Sequence, residues 1–136
     1  MKKFFDSKWM RHLLGIAGMV NIMAGIFFAF FPHLFLHLFY KDLDPVILNS
    51  PAIQSIVTLM FLFILIIGFG YIWSMRDLVR NKLYILIGGL GKLAAVLLWT
   101  VSYFQGFGGE LLLVASFNDL GLGILFVLFF VYNRRD

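Results

Sequence analysis

The amino-acid sequence predicts an all-α protein: an integral membrane four-helix bundle with both termini in the cytoplasm and a short interfacial helix after the first span. Of its 136 residues, 62% are hydrophobic and only 13% are charged, whereas about a quarter of the residues in a soluble domain are charged. Four long apolar runs and an uneven distribution of lysine and arginine complete the prediction. We interpret residues 1–136 as one transmembrane domain.

The four spans follow from the length of the apolar runs. About 20 residues, each rising about 1.5 Å along a helix, are needed to cross the hydrocarbon core of a bilayer. The predicted spans are 10–31, 52–75, 83–104 and 111–132. The segments between them carry turn residues: "KDLDPVILNSP" contains two prolines, "RDLVRNK" is highly charged, and "QGFGGE" is rich in glycine.

The segment "FPHLFLHLFY" (31–40) predicts the interfacial helix. On a helix, His33, His37 and Tyr40 form a polar stripe, while Phe35 and Phe39 face lipid. The spacing of the two histidines also fits a haem or metal site. A third ligand would have to come from the acidic residues on the same side, which are Asp42, Asp44 and Glu110. We predict no cofactor, with haem or metal at His33 and His37 as the alternative.

The basic residues set the orientation. Nine of them lie in the two terminal segments and the 76–82 loop, and the other two loops contain only Lys41. The nine are Lys2, Lys3, Lys8, Arg11, Arg76, Arg80, Lys82, Arg134 and Arg135. Loops rich in lysine and arginine stay in the cytoplasm, so this bias predicts an inner (plasma) membrane protein with both termini inside. The net charge of +4 therefore indicates topology and contact with membrane lipids rather than nucleic-acid binding.

Several chemistries are excluded or disfavoured. The chain has no cysteine, which rules out disulfides, thiolate catalysis and cysteine-ligated metal centres. No serine–histidine–acid set, carboxylate dyad or EF-hand pattern is visible, so we expect a protein without enzymatic activity.

Two charged residues belong to no loop or terminal segment and lie deep inside predicted spans. Lys92 follows Lys82 by ten residues and Asp119 follows Glu110 by nine, which places them about 15 Å and about 13 Å from opposite membrane faces. An unpaired charge at this depth costs roughly 2.5–3.5 kcal/mol. We therefore predict a Lys92–Asp119 ion pair, with Asn118 satisfying the remaining polar atoms.

Other polar residues coincide with small-residue faces, which in membrane proteins pack against neighbouring helices. Asn21 is flanked by Gly18 and Gly25, and Gln54 shares a helix face with Thr58. The predicted ligand or proton site consists of five residues, Asn21, Gln54, Lys92, Asn118 and Asp119. The alternative is that the charged pair only fixes the register of the helices.

Two stretches, "GFGYIWSMRDLVRNKLYILIGGLGK" (68–92) and "NDLGLGILF" (118–126), resemble a group of small four-span bacterial membrane proteins and, more distantly, the DoxX-like superfamily. The resemblance is centred on Gly91, Lys92, Asn118 and Asp119. It implies the four-helix membrane fold and supplies no activity that could be transferred to this chain.

Together these features predict an accessory or binding module of the membrane. It would hold a lipid-like or amphiphilic small molecule, a partner subunit or a second copy of itself at the intramembrane polar cluster. The first alternative is a small proton-coupled transporter using Asp119 and Lys92. The second is a membrane redox protein with haem or metal at His33 and His37.

Overall fold

The computed structural model describes residues 7–133, which form six helices and, within that range, no strand. The helices are α1 (Ser7–Phe30), α2 (Pro32–Phe39), α3 (Pro45–Leu48), α4 (Pro51–Ser74), α5 (Lys82–Phe104) and α6 (Glu110–Asn133). Four of them, α1, α4, α5 and α6, are long and apolar enough to cross a membrane. The all-helical fold with four such helices is thus confirmed. Four of the nine basic residues used to predict the orientation lie outside the described residues: Lys2, Lys3, Arg134 and Arg135.

The helix boundaries follow local sequence chemistry. Phe31 leaves the helical conformation, with φ −124° and ψ 59°, because a residue before proline is disfavoured in the α region. Ser50 caps α4, its side chain accepting a hydrogen bond from the backbone N–H of Ile53. The segment interpreted as a turn also contains the short helix α3, which Asp44 caps by accepting from the N–H of Val46 at 2.8 Å.

The long helices pack as two pairs, α1 with α4 and α5 with α6. Each pair has a contact between glycines. A Cβ added to Gly18 would lie 2.9 Å from the carbonyl oxygen of Gly68, and one added to Gly89 would lie 3.1 Å from that of Gly123. The absence of side chains at these positions lets the backbones approach closely.

A reciprocal arrangement of two tyrosines joins the pairs. The Tyr71 hydroxyl of α4 lies against Gly88 of α5, and the Tyr84 ring of α5 lies against Gly70 of α4. The Tyr84 hydroxyl also donates to the carbonyl of Ile66 at 3.2 Å. Each bulky ring therefore occupies the space left by a glycine on the facing helix.

The two ends of the bundle are closed differently. At the termini end, which contains both described chain ends and the α4–α5 turn, all four long helices share one apolar core. At the loop end, α2 packs against α1 and α4 through Phe35, which is buried, so the expectation that Phe35 faces lipid is wrong. The helix α2 is also tied to the α5–α6 turn. There the N–H of Gly109 donates to Phe39 O at 2.8 Å, and the N–H of Lys41 donates to Phe107 O at 2.9 Å. Burial at this end raises the pKa of the Tyr40 phenol.

Candidate functional site

The Lys92–Asp119 ion pair is the central polar feature of the molecule, and its predicted formation is confirmed. The Lys92 ammonium donates to Oδ1 of Asp119 at 2.5 Å. The two side chains are only 10% and 14% exposed. They therefore face protein rather than lipid, as the cost of a charge in hydrocarbon requires.

The glycine contact between α5 and α6 positions this pair. Gly89 precedes Lys92 by three residues and Gly123 follows Asp119 by four, so each glycine lies one helical turn from its charged residue on the same face. Because the backbones meet at these glycines, the short aspartate side chain can reach the lysine on the neighbouring antiparallel helix.

Two buried hydroxyls lie beside the pair. Tyr71 of α4 is fully buried and packs edge-on against Phe126 of α6, and its hydroxyl lies against Gly88, one helical turn before Lys92 on α5. Ser116, which is 5% exposed, precedes Asp119 by three residues on the same face of α6. Neither hydroxyl has a hydrogen-bond partner in the described part of the chain. Buried polar groups without partners are rare in folded proteins and often mark a bound water or a functional site.

The structure does not bring the two asparagines of the predicted cluster to this pair. Asn118 is exposed on the outward side of α6 and forms no hydrogen bond with any described residue. Asn21 is half-buried on α1, with its Cβ against Gly68 of α4. Of the five predicted site residues, only Lys92 and Asp119 are joined by a hydrogen bond.

Gln54 lies at the loop end, where it lines a surface groove of about 560 Å³. We call this the Gln54 groove; its walls include Phe30, His33, Gln54, Ser55, Thr58 and Leu62. The groove forms where the chain turns between α1 and α2 beside the first turns of α4. The side-chain N–H of Gln54 donates to Leu48 O at 2.9 Å, which holds the amide at the rim.

The two histidines considered for metal or haem, His33 and His37, are both exposed on α2. Within residues 7–133, no set of three histidine or acidic side chains is placed to hold a metal ion. Asp42, Asp44 and Glu110 are exposed, and Glu110 instead lies 3.5 Å from Lys41. The geometry therefore provides no third ligand from the described residues.

The basic residues of the α4–α5 loop have separate roles. Lys82 donates to the carbonyl of Asn133 at 2.7 Å, placing a positive charge at the C-terminal end of α6, where the helix dipole favours it. The Arg76 guanidinium lies 4.4 Å from the centre of the Trp73 ring. Asp77 accepts from the backbone N–H of Arg80 at 3.0 Å. These contacts stabilise the loop and the termini end.

Sequence reasoning missed the two hydroxyls beside the ion pair. Ser116 could have been found, because its spacing from Asp119 places both on one helix face. Tyr71 could not, since its contact with Gly88 depends on how α4 is rotated against α5. No protein-family model matches this chain, and no curated protein or solved structure shows significant similarity to it. The resemblance to the DoxX-like superfamily stays a prediction from the two motifs.

Proposed function

We propose that this protein is a non-enzymatic binding module of the inner membrane that holds an amphiphile in the Gln54 groove. The observation that carries the proposal is a groove of about 560 Å³ that is open to the bundle surface and lined by both polar and apolar side chains. Its position on the bundle surface gives a membrane lipid direct access.

The polarity of the groove changes with depth as an amphiphile requires. Gln54 and Ser55 lie about 5 Å from the start of α4, whereas Leu62 lies about 17 Å from it. The polar side chains are thus closest to the end of the span, and the apolar walls lie deeper. A molecule with its head at the membrane surface and its tail in hydrocarbon would match this gradient.

The hydrogen bonds within the groove favour a head group with donors. The Ser55 hydroxyl donates to Pro51 O at 2.8 Å and the Thr58 hydroxyl donates to Ala29 O at 3.1 Å. A hydroxyl has one donor and two acceptor lone pairs, so both side chains present only acceptors to a ligand. An ammonium, amine or hydroxyl head group would bind better than one with acceptors alone.

The distribution of charge supports the proposed orientation, with both termini in the cytoplasm and the groove on the opposite side. Among the described residues, the termini end contains five lysines and arginines, whereas the loop end contains only Lys41. The five are Lys8, Arg11, Arg76, Arg80 and Lys82. In this orientation α2 lies in the outer interface, with His33 and His37 exposed toward the headgroups.

Lipid retention in nanodiscs tests the proposal. Native mass spectrometry would compare phosphatidylethanolamine, whose ammonium carries donors, with phosphatidylcholine, whose head group has none. We expect the wild type to retain phosphatidylethanolamine several-fold better, and the Gln54→Leu/Ser55→Ala double variant to lose this preference. Ser102→Ala is the matched control, because the Ser102 hydroxyl also bonds the carbonyl four residues earlier, at 2.9 Å. Equal retention of both lipids by the wild type would contradict the proposal.

The second candidate is proton-coupled transport, which the buried ion pair and its two unpartnered hydroxyls support. A carboxylate in a dry site can exchange its proton only if a polar path reaches it, and Tyr71 and Ser116 are the hydroxyls beside it. In this mechanism Asp119 takes up a proton, which breaks the charge attraction to Lys92, and releases it on the other side.

Proton flux in liposomes tests the second candidate. Asp119→Asn should abolish a pH-dependent flux, whereas Glu110→Gln, which changes a carboxylate that is 82% exposed, should leave it intact. A wild-type protein without flux above empty liposomes would exclude the transporter.

A further inference from the structure

The Asn118 amide is a polar group on a helix surface that is otherwise largely apolar. Asn118 lies eight residues after the start of the 24-residue helix α6, which places it about 12 Å from the helix end and within the hydrocarbon core. It is exposed and bonds no described residue. Lipid tails offer neither donors nor acceptors, so an amide exposed to them pays a desolvation cost that a polar partner would remove.

The surroundings of Asn118 favour a helix as that partner. Val114, which is 65% exposed, shares its face of α6, and Phe117, which is 74% exposed, lies four residues before Gly121 at the edge of that face. Gly121, on the same face, has nothing within 4 Å of the position that a Cβ would occupy. A second helix can therefore approach the α6 backbone closely beside the amide, as small residues allow in membrane interfaces.

We propose that this face of α6 is the interface of a homodimer in which Asn118 bonds Asn118 of a second copy. All copies insert with the same topology, so a two-fold axis along the membrane normal would bring the same residue of each α6 to the same depth. A carboxamide carries both donors and acceptors, so two of them can exchange N–H···O bonds. The proposal is independent of the Gln54 groove, which lies on α1, α2 and α4.

Cysteine cross-linking in bilayers tests the dimer, and the absence of native cysteine makes each introduced thiol unique. Val114→Cys should form disulfide-linked dimers under mild oxidation. Met23→Cys on α1 is the matched control, because Met23 is 68% exposed and lies at a similar depth, about 24 Å against about 28 Å from the termini end. Met23→Cys should cross-link only at the rate of random collisions.

Substitution of Asn118 distinguishes the contribution of the amide from non-specific hydrophobic association of this face of α6. Adding Asn118→Leu to Val114→Cys should raise the dimer dissociation constant about tenfold, in line with interhelical hydrogen bonds of roughly 1–2 kcal/mol. Asn118→Gln, which restores an amide, should recover most of the cross-linking. Unchanged dimerisation in Asn118→Leu, or equal cross-linking of Val114→Cys and Met23→Cys, would overturn the proposal.

Discussion

Among single residues, Lys92 and Asp119 are the ones whose substitution we expect to destabilise the bundle interior most clearly. Both side chains are largely removed from solvent and from lipid. The attraction between two such charges roughly offsets the cost of burying them, so the pair contributes little net stability. Removing one partner has a different effect, since it leaves the other charge buried and unpaired.

We therefore expect Lys92→Met and Asp119→Leu each to lower the free energy of unfolding by about 3–5 kcal/mol, and the double variant to lose much less. Reversible unfolding in mixed micelles, followed by circular dichroism, measures all three. Single variants as stable as the wild type would show that the pair does not form.

The charged pair could be predicted from the sequence, but its surroundings could not. Helix rise alone placed Lys92 and Asp119 at matching depths, because depth depends only on the number of residues. It could not place Tyr71, whose contact requires the rotation of α4. Asn118 was expected to join the pair, but a neighbouring residue on a helix points about 100° away, and the structure places Asn118 on the outside.

At the scale of helices, glycines determine which surfaces meet. The predicted small-residue face of α1 is the one that contacts α4, through Gly18 and Gly25. On α5, two adjacent glycines contact different helices: Gly88 lies against Tyr71 of α4, and Gly89 lies against α6. The sequence alone could not assign these two positions to different neighbours, because either helix could have packed on either glycine.

Gly68→Ala tests the α1–α4 contact. The added Cβ would lie 2.9 Å from the backbone oxygen of Gly18, which cannot move without separating the helices. We expect a loss of about 1–3 kcal/mol of unfolding free energy, as for other overpacked sites. Gly91→Ala is the control, since a Cβ at Gly91 meets nothing within 4 Å and alanine is the better helix former. A Gly68→Ala variant as stable as the control would contradict the close contact.

At the scale of the whole molecule, charge and closure differ between the two ends. The termini end has most of the described lysines and arginines together with the core shared by all four long helices. The loop end has α2, α3 and the Gln54 groove. Apolar run length predicted the four long helices well. The groove could not be predicted, because it depends on the direction in which the chain leaves α1 at Pro32.

Orientation can be measured with single cysteines in intact cells. A membrane-impermeant maleimide should label Gln105→Cys at the loop end without treatment, and Val79→Cys at the termini end only after permeabilisation. Both positions are exposed. The reverse labelling pattern would place the termini outside and the groove in the cytoplasm.

Each packed pair consists of two long helices that follow one another along the chain, and this order has a consequence for biosynthesis. The glycine contact between α1 and α4 involves no residue of α5 or α6, and α5 and α6 are joined by the five-residue turn 105–109. Each pair can thus insert as a hairpin whose two helices already pack against each other. The step left for the end of synthesis is the docking of the two hairpins, when Tyr71 and Tyr84 enter their glycine sites and the Lys92–Asp119 pair is enclosed.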